Sequence, residues 1–137
     1  MKKKLIIITA TMVALATLII SLLLFNRELE LPRLTADDIS NIYYHDTDKN
    51  ETVDLDIEEF LGYYNQIYDL RDNKEGAGST PSSWIKIELK DGQEIGIYNT
   101  GKQFQVSFTD NDGERHQYWG RQQEIYNMLY KGFYKLK

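Results

Sequence analysis

The chain predicts an α+β fold: an N-terminal transmembrane helix, then an antiparallel sheet with two helices packed on it, in the order β-β-α-β-β-β-β-α. Three observations carry this. Residues 5–25 run for 21 residues without a charge. Residues 56–70 place apolar side chains at steps of three and four, the period of a helix with one buried face. Residues 84–119 alternate apolar and polar side chains between glycine-containing turns, the period of half-buried strands. Runs of strands with segregated helices pack as layers, helices against one face of an antiparallel sheet.

The apolar run, Leu5 to Phe25, follows Lys2-Lys3-Lys4 directly. At about 1.5 Å per residue it covers about 30 Å, the thickness of a bilayer's hydrocarbon core. Thr9, Thr11, Thr17 and Ser21 are its hydroxyl residues, and hydroxyls that bond back to helix carbonyls are tolerated in lipid. A cleaved signal peptide has a shorter apolar region and a small-x-small exit. The exit here, Leu24-Phe25-Asn26-Arg27-Glu28, has no such site, so an uncleaved anchor is expected. No cysteine is present to carry a lipid. Flanking lysines stay cytoplasmic. Residues 1–4 are therefore a cytoplasmic tail, 5–25 a signal anchor in the cell membrane, 26–35 a stalk and 36–137 an extracytoplasmic domain. Ala10, Ala14, Thr17 and Ser21 align on one face of the anchor, a pattern that permits close helix approach and that chance also supplies in a stretch rich in small residues.

Of 16 Lys and Arg, three precede the anchor, leaving 13 against 21 Asp and Glu, a net of −8. Such a domain is a poor partner for nucleic acid or anionic lipid. Without cysteine there is neither a disulfide frame nor thiol chemistry, which leans toward a bacterial surface protein. Ten Tyr and two Trp supply ample core material.

Pro32 discourages continuation of the membrane helix, and the ten-residue stalk reaches about 30 Å at most. Thr35 with Asp38 caps a helical turn. Ile39 to His45 reads as a strand, Asp46 to Glu51 as a turn and Thr52 to Leu55 as the return strand of a hairpin. Asp56 with Glu59 opens a helix carrying Ile57, Phe60, Leu61, Tyr64, Ile67 and Tyr68 on one stripe, expected to end near Leu70. Residues 71–83 read as a loop. From Trp84 four strands follow as a meander. Asp91-Gly92, Thr100-Gly101-Lys102 and Asp110 to Gly113 are its turns, and Glu114 to Trp119 is its last strand. Gln122 to Tyr134 reads as the closing helix.

Leu34-Thr35-Ala36-Asp37-Asp38-Ile39, the Thr52-Val53-Asp54-Leu55 edge before an Asp56-capped helix and the Asp91-Gly92 hairpin form a layout over about residues 34–137. It resembles that of small membrane-anchored extracytoplasmic proteins of Gram-positive bacteria, many from families of unknown function. The resemblance implies a surface protein and carries no site residues.

Asp46, Asp48, Asn50, the Thr52 carbonyl and Asp54 match positions 1, 3, 5, 7 and 9 of a helix-loop-helix calcium motif. Position 6, a glycine in that motif, is Glu51, and position 12, a glutamate, is Ile57. An acidic hairpin turn is the favoured reading and weak calcium binding the alternative. No other cofactor is expected. Asp110 to Glu114 is similar but shorter. His45 and His116, the only histidines, lack zinc-motif spacing. Gly-x-Ser-x-Gly and His-Glu-x-x-His are absent, so no catalytic residues are nominated. Tyr118-Trp119 and Trp84 are either core or a platform for a sugar or peptide. The expected class is a membrane-anchored, non-enzymatic binding or accessory module, engaging the membrane through residues 5–25 and a protein or envelope partner at the surface. The alternatives are an envelope enzyme using unidentified carboxylates and a calcium-binding surface module.

Overall fold

A computed structural model describes residues 1–25, 28–74, 80–101 and 103–132. It divides the chain into two units, Met1–Glu30 and Leu31–Lys137.

The first unit holds α1 (Lys2–Phe25), a helix long and apolar enough to cross a membrane. Leu5, Ala10, Ala14, Thr17, Ser21 and Phe25 all lie on it. Its four hydroxyls turn back on the helix as expected. Thr9 donates to the Leu5 carbonyl at 2.8 Å, Thr11 to Ile7 at 2.7 Å, Thr17 to Val13 at 2.8 Å and Ser21 to Thr17 at 2.8 Å. No helix hydroxyl is left to seek a partner in lipid.

Among the described residues, the second unit is one seven-stranded antiparallel sheet with two α-helices. Its elements are β1 (Ile39–Asp46), β2 (Glu51–Asp54), α2 (Ile57–Tyr64), β3 (Tyr68–Asp72), β4 (Ser83–Leu89), β5 (Glu94–Asn99), β6 (Phe104–Thr109), β7 (Arg115–Arg121) and α3 (Gln123–Lys131). Strand order is β2-β1-β4-β5-β6-β7-β3. The α+β class, the β1–β2 hairpin and the β4-to-β7 meander are as the patterning predicts.

One strand is not. The expected helix to Leu70 stops at Tyr64, and the residues after it form β3, which pairs with β7. Ile67 and Tyr68 sit at helical steps from Tyr64, yet Tyr68, Leu70 and Asp72 also alternate. Without β3, β7 would present unpaired amides and carbonyls along an edge, and pairing satisfies them. The start of the helix is as expected, with Asp56 accepting from the Glu59 amide at 2.8 Å. The last strand runs on to Arg121, and the closing helix begins at Gln123 with Gln122 as its cap, accepting from the Ile125 amide at 2.8 Å. It stops at Lys131, where Gly132 takes φ 80°. Phe133 and beyond, Asn26 and Arg27 of the stalk, 75–79 of the expected loop and Lys102 of the second meander turn lie outside the described residues.

The core lies on one face of the sheet. Cross-strand partners share a face, so Tyr44, Ile85, Ile97, Val106 and Tyr118 form one buried row, and Ile42, Ile87 and Ile95 a second. Phe60, Leu61 and Tyr64 of α2 and Ile125, Met128 and Leu129 of α3 close over them. The Tyr64 hydroxyl donates to the Pro32 carbonyl at 3.1 Å, tying the last part of the expected stalk to α2.

Asp38 closes the turn that leads into β1. Its carboxylate accepts from the Thr35 amide and hydroxyl, both at 2.8 Å. The Thr35 amide foremost, then its hydroxyl, holds this carboxyl below the ordinary 3.8. A depressed folded-state pKa stabilises above the unfolded value and is lost as pH falls through the folded one. The contribution of Asp38 should therefore vanish only below pH 3.8. Asp38→Asn should flatten the acid limb of a melting-temperature profile. An unchanged slope below that pH would remove Asp38 from the acid response.

Candidate functional site

The face of the sheet opposite the core is covered by neither α2 nor α3. Alternation that buries the isoleucines sends their neighbours here, so Trp84, Lys86 and Glu88 of β4 stand on this side. Register then aligns one residue from every strand. Thr52 pairs with His45, His45 with Trp84, Trp84 with Tyr98, Tyr98 with Gln105, Gln105 with Trp119 and Trp119 with Arg71. With strands about 4.8 Å apart, Trp84 and Trp119 stand about 14 Å from each other.

The register is set by turns of one kind. In the β4–β5 turn the Leu89 amide donates to the Gln93 carbonyl at 2.9 Å, and Gly92 takes φ 89°. In the β6–β7 turn the Asp110 amide donates to the Glu114 carbonyl at 2.9 Å, and Gly113 takes φ 82°. Each is a three-residue loop with its glycine where a side chain would be strained.

Beside the row lies a groove of about 400 Å³, whose lining includes Lys86, Glu94, Gly96, Tyr98, Ser107 and Arg115. That volume suits a small ligand or one unit of a larger one. Its floor is Gly96. A methyl group there would collide with the ring and hydroxyl of Tyr98, so the tyrosine lies down across the strand. Lys86 Nζ is 3.2 Å from Glu94 and 5.6 Å from the centre of the Trp84 ring. Burial works to lower the Lys86 pKa, but the Glu94 hydrogen bond and Tyr43 outweigh it and carry it above the usual value. Lys86 is thus held as an ammonium beside Glu94. The Arg115 Nε donates to Ser107 Oγ at 3.1 Å.

Aromatic side chains frame the other end. Trp84 meets Tyr43 edge-on with centroids 5.5 Å apart and stacks on His45 at 4.7 Å. The His45 Nδ1 is 2.9 Å from Thr52 Oγ1. Between Tyr98 and Trp119, Gln105 is only 1 % exposed, and its amide oxygen accepts from Asn73 Nδ2 at 2.8 Å. A buried amide pair in this place was not legible in the sequence, where both residues read as ordinary polar positions.

The structure separates the expected aromatic pair. Trp84 and Trp119 share the face opposite α2 and α3, while Tyr118, the residue before Trp119, is buried on the core face. The acidic hairpin is a ladder. Asp46 stands opposite Glu51 and accepts from the Lys49 amide at 3.1 Å, while Asp54 stands opposite Tyr43, three pairs further along, about 10 Å. Asp48 and Asn50 are exposed in the turn between them, Asn50 with φ 53°. Asp54 is thus set apart from Asp46 along the ladder, with Asp48 and Asn50 in the turn beyond Asp46. His116, by contrast, is brought to Asp110, with Nε2 2.7 Å from Oδ2. The His116 bond foremost, with the Glu114 and Asp112 amides, holds the Asp110 carboxyl below its usual value. Sequence spacing could not reveal this pair, because the turn folds residue 110 back on 116.

No family model matches the chain, and no curated protein or solved structure matches it.

Proposed function

We propose that this protein is a single-pass membrane protein whose Leu31–Lys137 unit is a non-enzymatic binding module, taking its ligand on the helix-free face of the sheet. Uncleaved anchoring rests on an apolar run longer than that of a signal peptide. The lysines before α1 favour a cytoplasmic N-terminus and an extracytoplasmic module. One observation carries the binding reading: the in-register row from His45 through Trp84 and Tyr98 to Trp119, bordered by a groove in which Tyr98 lies flat over Gly96. Half-buried rings on a rigid sheet offer apolar contact area with little entropy left to lose. The groove adds polar groups held in place by neighbours, Lys86 by Glu94 and Arg115 by Ser107.

The chain has two tryptophans, and both are on this face, so its intrinsic fluorescence reports occupancy of the face. The full chain in nanodiscs, titrated with fractionated envelope saccharides and peptides, should show a saturable change in emission. Gly96→Ala should displace the Tyr98 ring while leaving the fold intact, and weaken binding about tenfold, or about 1.4 kcal/mol. Emission that no fraction changes, or a titration that Gly96→Ala and Tyr98→Ala both leave untouched, would refute the reading.

A further inference from the structure

A separate constellation lies at the β6–β7 hairpin. The Asp110 Oδ1 accepts from the amides of Asp112 and Glu114, both at 2.9 Å, which fixes the plane of the carboxylate. Its Oδ2 faces His116 Nε2. The imidazole packs in a three-ring cluster, 5.2 Å from Phe108 and 5.9 Å from Tyr118, which are themselves 5.6 Å apart, and its Nδ1 is 3.5 Å from the Tyr118 hydroxyl. The exposed Glu114 completes the group: one ligand atom from each of Asp110, Glu114 and His116 lies within 4.8 Å of the others.

We propose that Asp110, Glu114 and His116 form a three-ligand zinc site with its fourth position open to water. The donor set selects a first-row transition metal over calcium or magnesium, and zinc is the redox-inert member that takes such a site. An imidazole nitrogen with two carboxylates suits zinc, whereas calcium and magnesium take oxygen ligands. Ligand bonds of about 2.0–2.2 Å in tetrahedral geometry put donor atoms about 3.3 Å apart. Asp110 and His116 therefore open slightly from their hydrogen bond, and the exposed Glu114 closes in. Two bonds to zinc replace that one hydrogen bond. The proton of a neutral imidazole moves from Nε2 to Nδ1, where the Tyr118 hydroxyl is the acceptor. Ligating histidines are characteristically oriented through their second nitrogen in this way. Alternation along β7 keeps the next cation away, since Arg115 projects to the opposite face and bonds Ser107. The site thus lies on the other face of the sheet from Lys86 and Arg115 of the groove, with Phe108 adjoining both.

Calorimetric titration of the full chain in detergent micelles with zinc chloride alone tests this, with calcium and magnesium chloride alongside. One zinc ion per chain should bind and raise the melting temperature, with calcium and magnesium far weaker. His116→Gln should cut zinc affinity by at least about a hundredfold and Glu114→Gln by at least about tenfold, no less than the losses seen when outer-shell partners of a metal are removed. Glu114 is exposed, so its variant should melt like the parent without metal, and it keeps the test valid if His116→Gln unsettles the hairpin. Absence of saturable zinc binding would overturn the proposal. Zinc binding unchanged in Glu114→Gln, or calcium binding as tightly as zinc, would overturn it too.

Discussion

Replacing Phe104 with alanine is expected to destabilise the Leu31–Lys137 unit by about 3–5 kcal/mol, the usual cost of emptying a buried phenylalanine site. Phe104 is 1 % exposed and faces Gly120 on the neighbouring strand. A domain of this size has about 5–15 kcal/mol to lose, so the variant should be marginal. A second substitution makes the test specific. A methyl group on Gly120 would sit 2.8 Å from Ile67 Cγ2 and 3.2 Å from Phe104 Cε2. Gly120→Ala alone should therefore overpack the site and cost about 1–3 kcal/mol. In the Phe104→Ala background the contact with Phe104 is gone and Ile67 gains room to shift from the methyl, so the double variant should lose less than the sum of the singles. Denaturant unfolding of the four proteins reads this directly. Additive losses would mean that Phe104 and Gly120 do not share the packing described.

Placing Arg at both Ala14 and Leu15, in the middle of α1, is expected to abolish stable membrane insertion. Each arginine at a helix centre costs about 2.5–3.5 kcal/mol on the insertion scale, so two cost about 5–7 kcal/mol. The variant should pass from the fraction that resists alkaline extraction to the extractable one. Lys2, Lys3 and Lys4 changed together to Glu should leave insertion intact and alter the orientation of the chain, read by protease access to the Leu31–Lys137 unit. A double-arginine variant that still resists extraction would place the attachment outside residues 5–25. Unaltered protease access in the lysine variant would remove those lysines as the topological signal.

Local chemistry was enough for most of the architecture. Twenty-one uncharged residues have one short-range outcome, a helix whose hydroxyls bond to it, and α1 has that form. Asp56 caps α2 because the capping bond spans three residues. Asp91-Gly92 turns β4 into β5 because the turn needs φ above zero there. The alternation of Trp84, Lys86 and Glu88 against Ile85 and Ile87 already divides the strand into two faces. What local chemistry leaves open are the contacts that depend on distant partners. Ile67 to Asp72 fits a helix or a strand equally well, and β7, nearly fifty residues further on, decides for the strand by offering a free edge. Gln105 reads as a surface position until Asn73, the residue after β3, arrives over it. His116 has no metal-like spacing in the chain, yet the hairpin brings it to Asp110 and Glu114. Trp84 and Trp119 stand 35 positions apart, and only the summed register of three strand pairs puts them in one row. Periodicity and turn chemistry act over a few residues and determine which elements form and which faces they bury. Strand pairing closes loops of tens of residues, so the edge strand, the aromatic row and the hairpin cluster exist only in the folded sheet.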